Sequence, residues 1–328
     1  MIDSPAEGKN MRAVVVGSAN TDLTIHVDEL PTPGNTRLGH GFKSGPGGKG
    51  ANQAVCLAKL GVETHLIARF GGDDFSGLLR SAIAAHGVDL SSSIVDRNAA
   101  GGIVFIIVDR EGNNTMVADL GANLSLSAED VSKAEPLFAE ADFLLLQFEV
   151  PEYANIRACE LAKAYNMPVV LNPAPMRQFS MGLLGLVDLF TPNLQELTEV
   201  LELLGGAQKI GQGETNLMKI GRAASTLNSL GARNIIVTAG RKGCVLVADG
   251  SIETFGAFAV KQVDSTAAGD AFTAGLALRF AETEDIAVSI PFASACAALA
   301  VTREGAIPSL PDRSEVEVFL QRNSLEET

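Results

Sequence analysis

Apolar residues run along this chain in two rhythms. Short unbroken runs, Arg12-Ala-Val-Val-Val-Gly17, His65-Leu-Ile-Ala-Arg-Phe70, Asp142-Phe-Leu-Leu-Leu146, Pro168-Val-Val-Leu171, Val187-Asp-Leu-Phe190 and Asn234-Ile-Ile-Val237, recur at helix-sized spacing. A strand that is apolar on successive residues must bury both faces, as strands of a parallel sheet covered on both sides do. The second rhythm is helical. Ala51 to Leu60 is a helical run closed by Gly61, Phe272, Leu276 and Phe280 share one helix face, and Ile286 to Val301 is Ala-rich, able to pack closely on the helix beginning near Asp270. Lys242 to Phe258 reads as further short strands, and Phe255 to Val263 as the end of an extended run. The alternation predicts an α/β fold: a doubly wound, mostly parallel sheet flanked by helices.

Two stretches break the rhythm. Leu23 to Phe42 alternates (Leu23, Ile25, Val27) and then turns at Pro31, Pro33 and Gly34; Gly102 to Val108, Asp109-Arg-Glu-Gly-Asn113 and Thr115 to Ala118 form a hairpin pattern. They predict a small β-sheet lid, from segments about 20–45 and 98–120, inserted in a single α/β domain spanning 12–320, with 1–11 as an N-terminal extension. Gly205 to Gly213 reads as a glycine-rich surface loop.

Composition narrows the function. The 328 residues carry a formal net charge of −14 and are 46% hydrophobic, which argues against binding nucleic acid or an anionic membrane, so any anionic ligand must be met by local donors. Cys56, Cys159, Cys244 and Cys296 stand far apart in apolar or small surroundings, without metal-site spacing, and read as buried thiols of a reducing compartment. Residues 1–10 carry no apolar core of a signal peptide and no apolar run reaches membrane-spanning length, so a cytoplasmic location is expected.

The densest candidate chemistry is Val263 to Gly275. Ala267, Ala268 and Gly269 at a helix start would let a phosphate or oxyanion reach unpaired N–H groups. Asp270 is then placed either to take a proton or simply to satisfy those donors, and the stretch alone leaves both open. Asn20 and Asp22 follow the first strand, where open α/β sheets bind ligands, but such residues also serve turns. Gly45, Gly47 and Gly50 match G-x-G-x-x-G, a dinucleotide signature, in the wrong context: no buried strand precedes them and no acidic residue closes a βαβ unit about 20 positions later. Nor is this a Walker A loop, since Gly50 follows Lys49. What remains is a bend that brings N–H groups, Lys49 and Asn52 to one place, suited to a polyhydroxylated ligand, or a bend that merely starts a helix. Asn193 and Glu196 form a capping box or face a hydrated Mg²⁺ beside a nucleotide. Glu149, at a strand's end, could accept sugar hydroxyls.

Taken together, these residues resemble the ribokinase branch of the PfkB sugar-kinase family, from about Ala13 to about Leu320. The N-terminal signature matches Gly47-Gly-Lys-Gly-Ala-Asn-Gln-Ala54, the C-terminal one Asp264-Ser-Thr-Ala-Ala-Gly-Asp270, and the Asn-x-x-Glu element Asn193 and Glu196. Pro31-Thr-Pro-Gly34, Leu171-Asn-Pro-Ala-Pro175 and Ala300-Val-Thr-Arg-Glu-Gly305 favour that branch over its relatives. The resemblance implies ATP-dependent phosphorylation of D-ribose at the 5-hydroxyl. Asn20, Asp22, Gly48, Lys49, Asn52 and Glu149 would bind the sugar, Asp270 would deprotonate it, and the backbone of Ala267, Ala268 and Gly269 would form the anion hole. Asn193, Thr238, Gly240, Gly243 and Ser294 would hold ATP. Glu196, through water, and Asn193 would serve Mg²⁺, while Asp264, Thr266, Ala300, Arg303, Gly305 and Ser309 would hold an activating K⁺. A homodimer through the lid is also implied. Val104, Phe148 and Val150 depart from the branch's usual residues on the sugar side, which leaves the choice of pentose open. Kinases for 2-deoxyribose, another sugar or a nucleoside, and a sugar-sensing protein without turnover, stand as alternatives.

Overall fold

The computed structural model describes residues 10–205, 210 and 216–326. Most of the expected N-terminal extension, and most of the loop expected at 205–213, lie outside the described residues. From β1 (Arg12–Val16) the chain enters β2 (Asn20–Val27), β3 (Gly39–Gly47), helix α1 (Lys49–Lys59), β4 (Glu63–Ile67), β5 (Arg69–Gly71), α2 (Asp74–Ala84) and β6 (Ile94–Asp96). Then come β7 (Gly102–Val108), β8 (Asn114–Asp119), α3 (Ala128–Lys133), α4 (Glu135–Phe138), β9 (Phe143–Gln147), α5 (Glu152–Ala164), β10 (Val169–Asn172) and β11 (Leu189–Phe190). After α6 (Leu194–Leu203) and α7 (Leu217–Ala224) follow β12 (Asn234–Thr238), β13 (Cys244–Ala248), β14 (Ser251–Phe255), α8 (Ala268–Thr283), α9 (Ile286–Ala300) and α10 (Arg313–Glu326).

An eight-stranded sheet in the order β14-β13-β12-β11-β10-β9-β1-β4 forms the centre, parallel from β4 to β12 and antiparallel in β13 and β14. The unbroken apolar runs have a direct cause. On β1, Ala13 and Val15 join one hydrophobic cluster and Val14 and Val16 the other; on β9, Phe143 and Leu145 divide from Leu144 and Leu146 in the same way. Successive side chains of a strand point to opposite faces, and here helices cover both. Against one face α8 and α9 pack so closely that a Cβ on Gly275 would sit 2.8 Å from Cys296 Sγ and 3.2 Å from the Ala293 Cα.

β2, β3, β7 and β8 form a separate four-stranded sheet, β3-β2-β7-β8, with β7 and β8 as the expected hairpin. Two expectations need correction. His65 to Phe70 is not one strand: the chain leaves the main sheet after Ile67, and Arg69–Gly71 pairs instead with Ile94–Asp96. Residues 256–263 carry no regular structure: they do not continue the sheet beyond Phe255, and several of them border a cavity. Asn20 and Asp22 are paired strand residues of β2, so the turn reading of them fails.

The strand order places the functional site. From β1 the chain moves outward to β4 on one side, while β9 lies on β1's other side and leads away through β10, β11 and β12. Between β1 and β9, therefore, the connections diverge, and the crevice beyond their C-terminal ends is where open α/β sheets bind ligands. The first turn of α1 is pressed into that crevice: a Cβ on Gly50 would lie 2.5 Å from the Ser18 nitrogen and 2.7 Å from the Gly17 carbonyl carbon. Both are backbone atoms and cannot step aside. Gly50→Ala is expected to lower stability by about 1–3 kcal/mol, measured by denaturant unfolding.

Candidate active site

Strand ends and two helix starts supply the site. Ser18 follows β1, Glu149 follows β9, Asn172 ends β10, Thr191 and Asn193 follow β11, and Thr238 ends β12. Glu149, buried, is the hub of the β1–β9 crevice: its Oε2 accepts from the Lys49 backbone N–H at 3.0 Å, from Asn20 Nδ2 at 3.3 Å and from the Ser18 hydroxyl. Gly48, the residue before α1, has φ +91°, and a Cβ there would meet the Asn20 nitrogen at 2.6 Å, so only glycine delivers Lys49 in this way.

Asp270 stands at the third position of α8 and is buried. It does not cap that helix. Its Oδ2 accepts from Asn52 Nδ2 at 2.9 Å and its Oδ1 from Gln53 Nε2 at 3.1 Å, both from α1. The residue before the helix, Ala267, has φ +59°, a left-handed conformation costly for a residue with a Cβ, and no side chain caps the helix start. Since a helix leaves its first N–H groups without internal partners, those of Gly269 and Asp270 open toward the cavity both residues line.

That cavity is polar, about 180 Å³, and is bordered also by Lys49, Asn193, Glu196 and Thr273. Through Thr238, Ser265 and Gly269 it adjoins a second cavity of about 700 Å³, lined mainly by apolar groups such as Phe258, Val260, Phe272, Ala297 and Val301. Gly240, Gly243, Ala268 and Ser294 border this larger space. Lys49 and Asp270, 221 positions apart in the chain, therefore face one pocket. A pocket with an ammonium, a buried carboxylate and open N–H groups, continuous with a planar-sized apolar chamber, can hold an anion between a hydroxyl and a bulky apolar group.

The electrostatics are strained toward neutrality. Burial, with Glu149 and Asp270 nearby, pushes Asp22 up to about 7 against the pull of Lys49, and burial pushes Glu196 up to about 7. Asp270 is raised by burial, while Lys49 and the two amide donors hold it down. For Lys49, burial works against the ammonium, but Asp270, Glu149, Glu196 and Asp22 outweigh it and keep its pKa above the ordinary value. Asn52 Oδ1 is buried without a partner, an acceptor suited to a ligand hydroxyl.

Asn193 and Glu196 do form a capping box, each carboxylate oxygen accepting from Asn193, yet both residues also face the polar cavity, so the two readings coexist. Among the described residues no three His, Cys, Asp or Glu are grouped to hold a metal ion. Asp264 ties two segments: its Oδ2 accepts from Gly305 N at 2.9 Å and its Oδ1 from Thr266 N and Oγ1 at 2.9 and 2.7 Å. Ser309, buried, donates instead to the Ala306 carbonyl. Phe148 and Val150 do not reach the sugar side as expected. They point into the core behind β9, with Phe148 5.1 Å from the Phe179 ring, so of the three only Val104, paired with Asp22 across β2 and β7, lies beside an expected sugar-binding residue. The sequence reading missed Ser18, Gln53, Gln147 and Asn172. Gln53 stood beside Asn52 in a quoted signature, but nothing local marked its partners.

A doubly wound sheet with a polar pocket beyond the ends of β10, β11 and β12, joined to an apolar chamber, defines a phosphotransferase-like site. The chain belongs to the pfkB family of carbohydrate kinases, whose pattern matches residues 10–313. It is 36% identical over 307 residues to a ribokinase of Haemophilus influenzae, covering 94% of this chain and 97% of that one. It is 32% identical over 314 residues to a deoxyribokinase of Salmonella typhi, covering 95% and 100%. The structure of an Arabidopsis thaliana ribokinase complexed with ribose and ATP is similar at TM-score 0.84 and 31% identity, covering 95% of this chain and 99% of that one.

The raised carboxylates set a pH dependence of stability. A carboxyl whose folded pKa lies above its unfolded value of about 4 favours folding while protonated, and this contribution is lost as pH rises through about 7. Asp22→Asn mimics the protonated form. Its melting temperature should match the parent's at acid pH and exceed it by about 2–4 °C in mildly alkaline buffer, as read by thermal denaturation.

Proposed function

We propose that this protein transfers the γ-phosphoryl group of ATP to the 5-hydroxyl of D-ribose. The observation that carries the reading is the shared pocket of Lys49, Asp270 and the open start of α8. Asn20, Asp22, Gly48, Lys49, Asn52 and Glu149 bind the sugar at the β1–β9 crevice, with its terminal hydroxyl against Asp270. Asp270 takes the hydroxyl proton as the bond to phosphorus forms; a carboxylate raised by burial is a better base than one in water. The N–H groups around Ala267, Ala268 and Gly269 meet the charge on the transferring group, where fixed donors stabilise a loose transition state. The large chamber takes the nucleotide, along Thr238, Gly240, Gly243 and Ser294.

Glu196, with Asn193, is suited to a hydrated Mg²⁺, since both border the polar cavity and Mg²⁺ needs few direct protein ligands. The ion would neutralise phosphate charge there. We place the K⁺ site beside the hydrogen bond from Gly305 N to Asp264, with Asp264, the carbonyls of Thr266, Ala300, Arg303 and Gly305, and Ser309 as its ligands. The small sheet would act as a lid of a single domain spanning 12–320 and as a homodimer contact; its exposed Phe42, Phe105, Met116 and Val117 support both. Among the described residues no helix is long and apolar enough to cross a membrane. The four buried, unbridged cysteines fit a cytoplasmic setting.

A second acceptor is favoured by the deoxyribokinase relative: 2-deoxyribose, for which Val104 beside Asp22 is the position to change. Rates with ribose, 2-deoxyribose and a nucleoside, in a coupled assay for ADP, separate these readings. Binding without ADP release would overturn the kinase assignment. Asp270→Ala should lower kcat by roughly 100-fold or more while ribose still binds; near-normal turnover would remove Asp270 from the role. Replacing Na⁺ by K⁺ at constant ionic strength should raise the rate, and equal rates would refute the cation site.

A further inference from the structure

We propose that Gln53, oriented by Gln147, is a positioning residue for this reaction: it holds the Asp270 carboxylate so that one oxygen faces the acceptor hydroxyl. The inference rests on the reading of Asp270 above and adds residues that reading does not use. Gln53 and Gln147 are both fully buried. Gln53 Nε2 donates to Asp270 Oδ1 at 3.1 Å and to Asn172 Oδ1 at 3.4 Å, and Gln53 Oε1 accepts from Gln147 Nε2 at 2.6 Å.

A side-chain amide can be turned end for end, so its direction needs an outside reference. Two groups supply one. The Thr191 carbonyl can only accept, and it takes a hydrogen bond from Asn172 Nδ2 at 3.0 Å, which leaves Asn172 Oδ1 toward Gln53. An ionised Asp270 likewise only accepts. Gln53 must therefore present its NH₂ to both, and its oxygen is left for Gln147, which must donate. The two glutamine amides thus point toward the Asp270 carboxylate.

Asn52 meets the other carboxylate oxygen at 2.9 Å. Two donors from consecutive residues of one helix, one on each oxygen, fix the carboxylate plane. Asn52 is also committed to the sugar, whereas every hydrogen bond of Gln53 goes to Asp270 or to side chains beside it. In a transfer reaction a misplacement of about 1 Å costs about 100-fold.

Lys49 and Cys56 of α1, Asp22 of β2, Glu149 beyond β9 and Glu196 of α6 act electrostatically on or with Asp270. Packed along α8, α9 carries no charged residue; its Cys296 thiol is pushed well up by burial. All these groups remain when Gln53 is changed, so removing its donor should move Asp270 upward. A residue that only filled buried space would not do so.

The test measures kcat and the ribose KM from acid to mildly alkaline pH for Gln53→Met, Gln147→Met and Asp270→Asn. Gln53→Met should lose about 10- to 100-fold in kcat with ribose KM unchanged, and the acid limb of kcat should rise by about one pH unit. Gln147→Met should move both in the same direction by less. Parental kcat with an unmoved acid limb in Gln53→Met, or a loss confined to KM, overturns the proposal. Should Gln53→Met fail to fold, an unmoved acid limb in Gln147→Met overturns it instead. Turnover by Asp270→Asn would remove the base assignment itself; an inactive Asp270→Asn beside a Gln53→Met that behaves like the parent would remove only the positioning role.

Discussion

Four carboxylates share one ammonium in a space largely closed to water. Asp22, Glu149, Glu196 and Asp270 all act on Lys49, and the desolvation that drives Asp22 and Glu196 up to about 7 is a destabilising load on the fold. The surrounding structure is arranged to bear it. Glu149 accepts three hydrogen bonds and Asp270 two, so the charges that must be buried are also solvated by fixed dipoles. A site of this kind is ready for hydroxyls and an anion before either arrives, because its donors need little rearrangement.

Holding such groups together requires backbones that approach closely. Gly17, Gly48 and Gly50 leave no room for a Cβ where α1 meets the ends of β1 and β2, and Ala267 accepts a left-handed conformation so that α8 starts beside them. The same closeness appears between α8 and α9 at Gly275. Strain and absent side chains thus concentrate where α1 and α8 converge on the switch point of the sheet, while both faces of that sheet are conventionally packed. The irregular segment 256–263 supplies part of the wall of the apolar chamber.

The small sheet has a different logic. β2 continues directly from the crevice, so Asn20 and Asp22 belong at once to the site and to the sheet beside it. Any movement of that sheet would carry ligand-facing groups with it. Its exposed apolar residues, Phe42, Phe105, Met116 and Val117, lie on β3, β7 and β8.

The linear pattern was enough for the layered α/β architecture, the hairpin of β7 and β8 and the Ala-rich α9, because each rests on periodicity; that Lys49 and Asp270 serve one site was implied only by the family resemblance, and the fold brings them to one pocket. It erred where one residue string served two environments: His65 to Phe70 crosses between sheets, and Phe148 and Val150 flank Glu149 yet face the core. Asp270 as base or cap, and Asn193 with Glu196 as cap or ligand group, stayed open because a carboxylate near a helix start looks the same in either case. Only packing decided that Asp270 turns away from its own helix toward Asn52 and Gln53, and that Gln53, Gln147 and Asn172 share one direction. Hydrogen-bond direction among buried amides is set by which acceptor lies across the gap, and that neighbour is chosen by the fold, not by adjacency in the chain.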